Sequence, residues 1–450
     1  MAEGAVAGTA TEQTNIANGI PLVQTLNNSD ERIAIIGAGA SGLALAWLLS
    51  EAGKQVTVLE AAPRIGGLAR TFDWHGLPCD IAPHRLHTTD QQVLQAIQRL
   101  VPLREHRRHS RILMRDKQIQ DPINPIELLL RFPPRTGFSL VWGFLNRPKL
   151  PEHSFESLAL NQYGRGLYDF FFAPYTKKMF GVPPSEISPI WGREKLRASG
   201  LLDVLKRQSK TFFHTFWYPE QGGYGTICDA MAAKTNGEIL LEAPVTGLTR
   251  TEGRITRLQY RRGDAEQQLD CDRVFSTIPA TVLAGMLGER LELRFKAVQL
   301  VYLYIGKAQA MPYQWVYWGD GDVVINRMAE FKHFHPDLPP SDRTVLCAEV
   351  TVATETPVED VIQALERYDL VRRDDILDSM VITEGCGYPV YDLGFEAVKH
   401  KAQALFGRFE NLHCVGRNAE FRHIETDEDI ASAADTLRAI YGPTFKALEQ

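Results

Sequence analysis

The sequence predicts an α/β fold, and three observations lead there. Residues 33 to 60 read strand, glycine turn, helix, strand and acid in that order. Two distant segments, Val274 to Pro279 and Leu412 to Gly416, look like further parallel strands of the same sheet. Between these pieces lie a stretch of helical spacing and a long run of alternating strands. The expectation is a Rossmann-like domain of the glutathione-reductase type, interrupted by an inserted helical lobe and an antiparallel-sheet lobe.

The opening unit carries the clearest chemistry. Ile33 to Ile36 is a short apolar strand that ends in Gly37-x-Gly39-x-x-Gly42. Gly37 serves the tight turn, Gly39 lets backbone approach a pyrophosphate, and Gly42 lets helix and strand pack closely. The helix that starts at Ser41 offers free N–H groups and the positive end of its dipole to an anion. A second strand, Gln55 to Leu59, delivers Glu60, placed 18 residues beyond Gly42, where a carboxylate accepts from ribose hydroxyls. Together these features point to a dinucleotide.

Composition narrows the class. With 49 Lys+Arg against 55 Asp+Glu the net charge is −6, which argues against nucleic acid as a main partner. Six scattered cysteines without a C-x-x-C pair fit a reduced, cytoplasmic protein with no structural metal. Residues 1 to 30 have neither a basic n-region nor an apolar h-region and read as a disordered leader. No apolar run is long enough to span a membrane. Ile126 to Leu145 is apolar enough for peripheral membrane contact, but Pro133 and Pro134 break it. Packing inside the helical lobe, or against a substrate pocket, is the expectation for that stretch. Nothing specifies an oligomeric state.

Along the chain, residues 90 to 101 have helical spacing, and 110 to 123 form a hairpin turning near Asp116 and Lys117. Helical spacing resumes from Ser154 to about Lys210. Gly222 to Gly225 opens another helix, and 238 to 275 alternate as strands around Glu252-Gly253 and Arg262-Gly263-Asp264. A last helix runs from about Asp429 to Ala439. The domains expected are therefore 31–89 with 222–290 and 405–445 for the nucleotide, 90–221 for the mostly helical lobe, and 291–404 for the sheet lobe.

Two flanking motifs extend the nucleotide to a flavin. Arg64-Ile65-Gly66-Gly67, followed by Arg70, and Val415-Gly416-Arg417 resemble the flanking FAD motifs of the superfamily of amine oxidases, protoporphyrinogen oxidases, phytoene desaturases and UDP-galactopyranose mutases. The resemblance implies FAD as cofactor, with Val245, Asp427 and Ile430 among the residues that hold it. Gly66 and Gly67 would let backbone approach the cofactor's far end, and Arg417 would pair with a phosphate oxygen or a flavin-side carbonyl. The segments APHRLHT (82–88), GLYDFFFAPYTKKMFG (166–181), GGYGTI (222–227), NRMAEFKHF (326–334), GYPVYD (387–392) and GRNAEFRHIETDEDIASA (416–433) are similar to the mutase-like branch, in that family's order.

That branch implies two chemistries. A mutase holds a UDP-sugar diphosphate with two arginines; Arg327 matches one, whereas HTFWYPEQ (214–221) lacks the other. The mutase tryptophan that stacks on uracil is Phe180 here, and Glu425-Thr426-Asp427-Glu428 replaces Asp-Met-Asp-Gln. The oxidative reading needs only a small-molecule substrate held against the flavin, with a hydride passing to N5, a basic group and a dry pocket. His84 and His87 are its candidates for orienting or deprotonating the substrate, and Tyr388 for hydrogen-bonding it. His333 and His335 read as structural, and the arginine cluster from Arg99 to Arg115 as a solvated face. The expectation is an FAD-dependent oxidoreductase, with a mutase as the alternative and a catalytically silent scaffold as a third reading.

Overall fold

The computed structural model describes residues 31–121, 123–195, 215–335, 338–443, 445 and 448. The expected leader, and the helical spacing expected between 196 and Lys210, lie outside them.

Five parallel strands form the nucleotide sheet, in the order 412–414, 273–276, 33–36, 56–59, 237–240. The distant segments Arg273–Ser276 and Leu412–Cys414 thus join the opening unit as expected. Ile33–Ile36 is buried on both faces. This is why the run is continuous rather than alternating. The helix Ala40–Glu51 covers one face with ten buried residues and packs against the C-terminal helix Thr426–Tyr441. That last helix starts at Thr426, three residues before the expected Asp429, and Glu428 accepts from the backbone N–H of Glu425 at its mouth (2.9 Å).

A seven-stranded sheet stands across from it, ordered 376–390, 294–305, 344–350, 325–330, 315–318, 110–114, 117–120. The hairpin expected at 110–123 forms its edge. The sheet is not purely antiparallel as expected, because Ser110–Leu113 runs parallel to Trp315–Trp318. Strands 245–251, 254–262 and 265–270 make a separate three-stranded sheet, turning at the two glycine signals.

The helical stretch contributes Pro125–Arg131, Pro134–Leu145, Phe155–Leu167, a π-helical turn Tyr168–Phe172, and Ala173–Phe180. Pro133 and Pro134 break the apolar stretch as expected, but its burial does not follow. Ile126, Leu129, Leu130, Phe138, Val141, Trp142 and Leu145 are exposed, and none lines the main cavity. The physical reason is glycine. A Cβ on Gly143 would meet Gly166 N at 2.5 Å, and one on Gly166 would meet Ser139 O at 2.2 Å. Helix Pro134–Leu145 therefore turns its small face inward for backbone-to-backbone packing, and its large side chains point out.

Candidate active site

The glycine turn has the geometry its sequence requires. Gly37 takes φ +100°, and a Cβ on Gly42 would lie 1.9 Å from the Gly37 carbonyl oxygen. Gly66 and Gly67 take φ +97° and +54°, and Gly67 lies so close to Gly39 that a Cβ on it would sit 3.1 Å from the Gly39 Cα. The two glycine loops of the FAD frame thus form one cradle, joined by Gly66 N–H donating to Ala38 O (2.7 Å). Helix Ala40–Glu51 starts directly after Gly39 of that cradle, with no acidic side chain in its first turn to repel an anion. Glu60 is oriented by Ala38 N–H (2.7 Å) and Ala62 N–H (2.8 Å). Its backbone carbonyl accepts from Ala243 N–H, two residues before buried Val245. Such a cradle, with a fixed carboxylate beside it, fits an adenine dinucleotide.

Ser41 is buried and donates to Asp429 Oδ1 (2.7 Å), which also accepts from Arg417 N–H (3.1 Å). Burial pushes the Asp429 carboxyl up to about 6 against the pull of these hydrogen bonds. Gly416 takes φ +92°, and a Cβ there would collide with Ser41 Oγ at 2.0 Å. Asp427 is buried beside it, pushed up to about 6 by burial and bonded to the Thr88 side chain, and Ile430 lies in the core.

Arg70 donates to Gly67 O (2.6 Å) and pairs with Glu384 (2.6 Å), tying the second glycine loop to the large sheet. Arg64, in contrast, is exposed. Arg417 is half-buried. Its guanidinium donates to Gly387 O (2.8 Å) and Ile424 O (3.3 Å) and lies over the Tyr388 ring, and its Nε is buried without a partner among the described residues.

A cavity of about 370 Å³ opens where the three parts meet. The loop Ile81 to Arg85 supplies one wall, the aromatic residues Phe171, Phe172 and Tyr175 a second, and Arg327, Glu349 and Tyr388 of the large sheet a third. A register shift between Ile325 and Arg327 lets Asn326 and Arg327 both face the cavity, which a regular strand would forbid. Opposite Arg327 in register stands Glu349. Arg327 Nη2 and Nε donate to the two Glu349 oxygens (2.5 and 3.2 Å), and Tyr388 OH adds a third contact (3.4 Å). Burial works against the Arg327 charge, but Glu349 outweighs it and holds the guanidinium firmly protonated.

His84 faces the same space, stacked on Tyr224 at 5.3 Å. Burial first, and Arg327 second, push its imidazole down to about 4, so it is neutral at pH 7. With Nδ1 3.1 Å from Ala82 O, the neutral ring carries its proton there and turns Nε2 into an acceptor. His87 does not line the cavity; the chain between the two is fixed by reciprocal backbone bonds between Leu86 and Trp217. Phe180 is also absent from the lining and packs edge-on against Trp191 at 5.0 Å. Of the arginine cluster, Arg99, Arg104, Arg107 and Arg115 are exposed, whereas Arg108 is held by Asp121 and Ser110.

Sequence reasoning missed Glu349, Asp429 and Asp80. One had a visible sign: Glu349 is an acid inside the apolar run TVLCAEV. Asp80 accepts from Tyr218 OH (2.5 Å), Thr71 Oγ1 (2.6 Å) and Tyr224 N–H (2.9 Å), and burial raises its carboxyl to about 6. It fixes the loop that carries His84 and the ring that His84 stacks on.

Residues 40–313 match the model of a family described as flavin-containing amine oxidoreductase. The chain belongs to that family. It is a flavoprotein with FAD as its cofactor, as the cradle anticipates. Over 423 residues it is 24% identical to a probable UDP-galactopyranose mutase of Klebsiella pneumoniae, covering 91% of this chain and 94% of that one. An L-amino-acid oxidase of Sistrurus catenatus edwardsii is 42% identical, but over 78 residues, 17% of this chain and 14% of the oxidase. Among solved structures, reduced UDP-galactopyranose mutase superposes with TM-score 0.78 at 20% identity (93% and 96% covered). A putative protoporphyrinogen oxidase from Exiguobacterium gives 0.71 at 18% (94% and 99%). These structural likenesses establish the fold.

Proposed function

We propose that the protein is an FAD-dependent oxidoreductase that takes two electrons from a small organic substrate held between His84 and the Arg327–Glu349–Tyr388 cluster. The observation that carries this reading is the bidentate pairing of Arg327 with buried Glu349. A guanidinium already neutralised in this way is a poor receptor for a diphosphate. The bound FAD supplies the two-electron acceptor. The chain's own residues supply the rest. Aromatic walls exclude water, neutral His84 accepts a hydrogen bond from a substrate N–H or O–H through Nε2, and Tyr388, whose hydroxyl burial keeps protonated, donates or accepts beside it.

A second reading, a redox-neutral isomerisation of a nucleotide sugar with reduced FAD, draws support from the full-length likeness to a probable mutase. It asks Arg327 to release Glu349, and it lacks Phe180 at the cavity. One experiment separates the two. Flavin-loaded protein is mixed anaerobically with panels of amines, amino acids and other reduced organic compounds, and loss of oxidised-flavin absorbance is followed. Bleaching by a substrate supports the oxidoreductase. Absence of bleaching, with interconversion of UDP-sugars only after dithionite, overturns it.

A further inference from the structure

The helices Pro125–Arg131 and Pro134–Leu145 carry the densest exposed apolar surface among the described residues. Phe138, Val141, Trp142 and Leu145 recur at i, i+3, i+4 and i+7 along one face, and Ile126, Leu129 and Leu130 continue it on the neighbouring helix. Leu130, Leu145, Phe138 and Trp142 are 81, 73, 68 and 58% exposed. Phe138 and Trp142 stack on each other at 5.9 Å, so the face presents a formed aromatic ridge. The platform beneath is rigid, because Gly143, Gly164 and Gly166 bring helices Pro134–Leu145 and Phe155–Leu167 into backbone contact. A soluble domain rarely leaves so many large apolar side chains together in water.

We propose that this face docks on an anionic membrane surface, with the aromatic ridge set into the headgroup layer. The charges decide the occupant. Arg131, Arg135, Arg147 and Lys149 are exposed around the ridge, and the acid within it, Glu127, is paired with Arg131 (2.7 Å). Apolar and aromatic residues on one face with cations at its margin are the pattern of an interfacial helix. A second copy related by a two-fold axis would instead bring these cations against the same four, which opposes association. No helix among the described residues is long and apolar enough to cross a membrane, so the contact is peripheral. The same helical lobe lines the cavity through Phe171 and Phe172.

The test is co-sedimentation of the flavin-loaded full chain with phosphatidylcholine vesicles, with and without phosphatidylserine. The protein should pellet with the anionic vesicles, less so in high salt, and Trp142 fluorescence should shift to the blue. Trp142→Glu with Leu145→Glu should abolish binding while leaving flavin content and melting temperature unchanged, since both side chains are exposed. Arg135→Gln with Lys149→Gln should weaken it about 25-fold, at about fivefold per cation near the surface. Equal binding to neutral vesicles, or binding that survives the glutamates, overturns the proposal. So does a wild type that stays in the supernatant, whether monomeric or as a dimer that the glutamates dissociate.

Discussion

Replacing Glu349 with glutamine removes one charge from the cavity wall with almost no change of shape. The Glu349 side chain is 1% exposed and that of Arg327 16%, and two N–H groups of Arg327 end on its oxygens. Removing one partner of a buried pair costs about 3 to 5 kcal/mol, chiefly through the charge left behind. Arg327 borders the cavity and the amide oxygen still accepts one N–H, so Glu349→Gln should fall at the low end, about 3 kcal/mol. Arg327→Met leaves the deeper Glu349 uncompensated and should cost about 4 to 5 kcal/mol. The double variant should cost less than the sum, with a coupling of about 2 to 3 kcal/mol, because neither charge is then stranded. Urea unfolding of the four flavin-loaded proteins measures these terms. A second readout is inorganic pyrophosphate, which should bind Glu349→Gln at least about tenfold more tightly than wild type once the guanidinium fork is freed. Additive single variants within about 0.5 kcal/mol of wild type would show that the pair does not form. Wild type binding pyrophosphate as tightly as Glu349→Gln would remove the main support for the oxidoreductase reading.

Gly416→Ala forces a Cβ to within 2.0 Å of Ser41 Oγ at φ +92°, and should weaken FAD binding on the order of tenfold or more, seen as lost flavin absorbance after dialysis. Lys178 is buried and donates to the carbonyls of Trp318, Asp320 and Ile325 (2.6, 2.8 and 2.9 Å). Lys178→Met should cost about 2 to 3 kcal/mol in urea unfolding, by stranding these acceptors. For His84 the folded value, about 4, lies below the ordinary 6.5, so the unfolded chain binds the extra proton first. Its contribution to stability is present above 6.5 and lost as pH falls toward 4. The stability difference between wild type and His84→Gln should therefore be flat above pH 7 and move in favour of the variant from 6.5 down to 4; a difference independent of pH would refute the assignment.

What was legible in the sequence is what local physics dictates. The glycine turn can be read because each glycine answers a local demand, such as the 1.9 Å approach of a Gly42 Cβ to the Gly37 carbonyl. Strands Arg273–Ser276 and Leu412–Cys414 were legible only through short apolar pieces, buried Val274 and Phe275 in the first and Leu412 in the second. The start of the C-terminal helix was placed late because Thr426-Asp427-Glu428-Asp429 resembles a solvated loop, although acids at a helix N-terminus suit its dipole. The pairing of Arg327 with Glu349 was not legible, because the two lie 22 residues apart and meet only through strand register. The stretch 126 to 145 was visible as apolar, but composition does not say which side of a helix meets the core. Gly143, with Gly164 and Gly166 on Phe155–Leu167, decided that.

The polar contacts also join the glycine turn to the cavity. From the glycine turn, Ser41 reaches Asp429, Asp429 holds the Arg417 backbone, and the Arg417 guanidinium grips Gly387 O and covers Tyr388. Tyr388 OH then meets Glu349, which holds Arg327. The groups that seat the cofactor and those that face the substrate are thus joined through a few buried bonds, whose members nearest the glycine turn serve FAD whatever the reaction. The members at the cavity end come from three sheet strands, and there Glu349 neutralises the Arg327 guanidinium. Identity of cofactor therefore follows from the frame, whereas identity of reaction is decided at the cavity end.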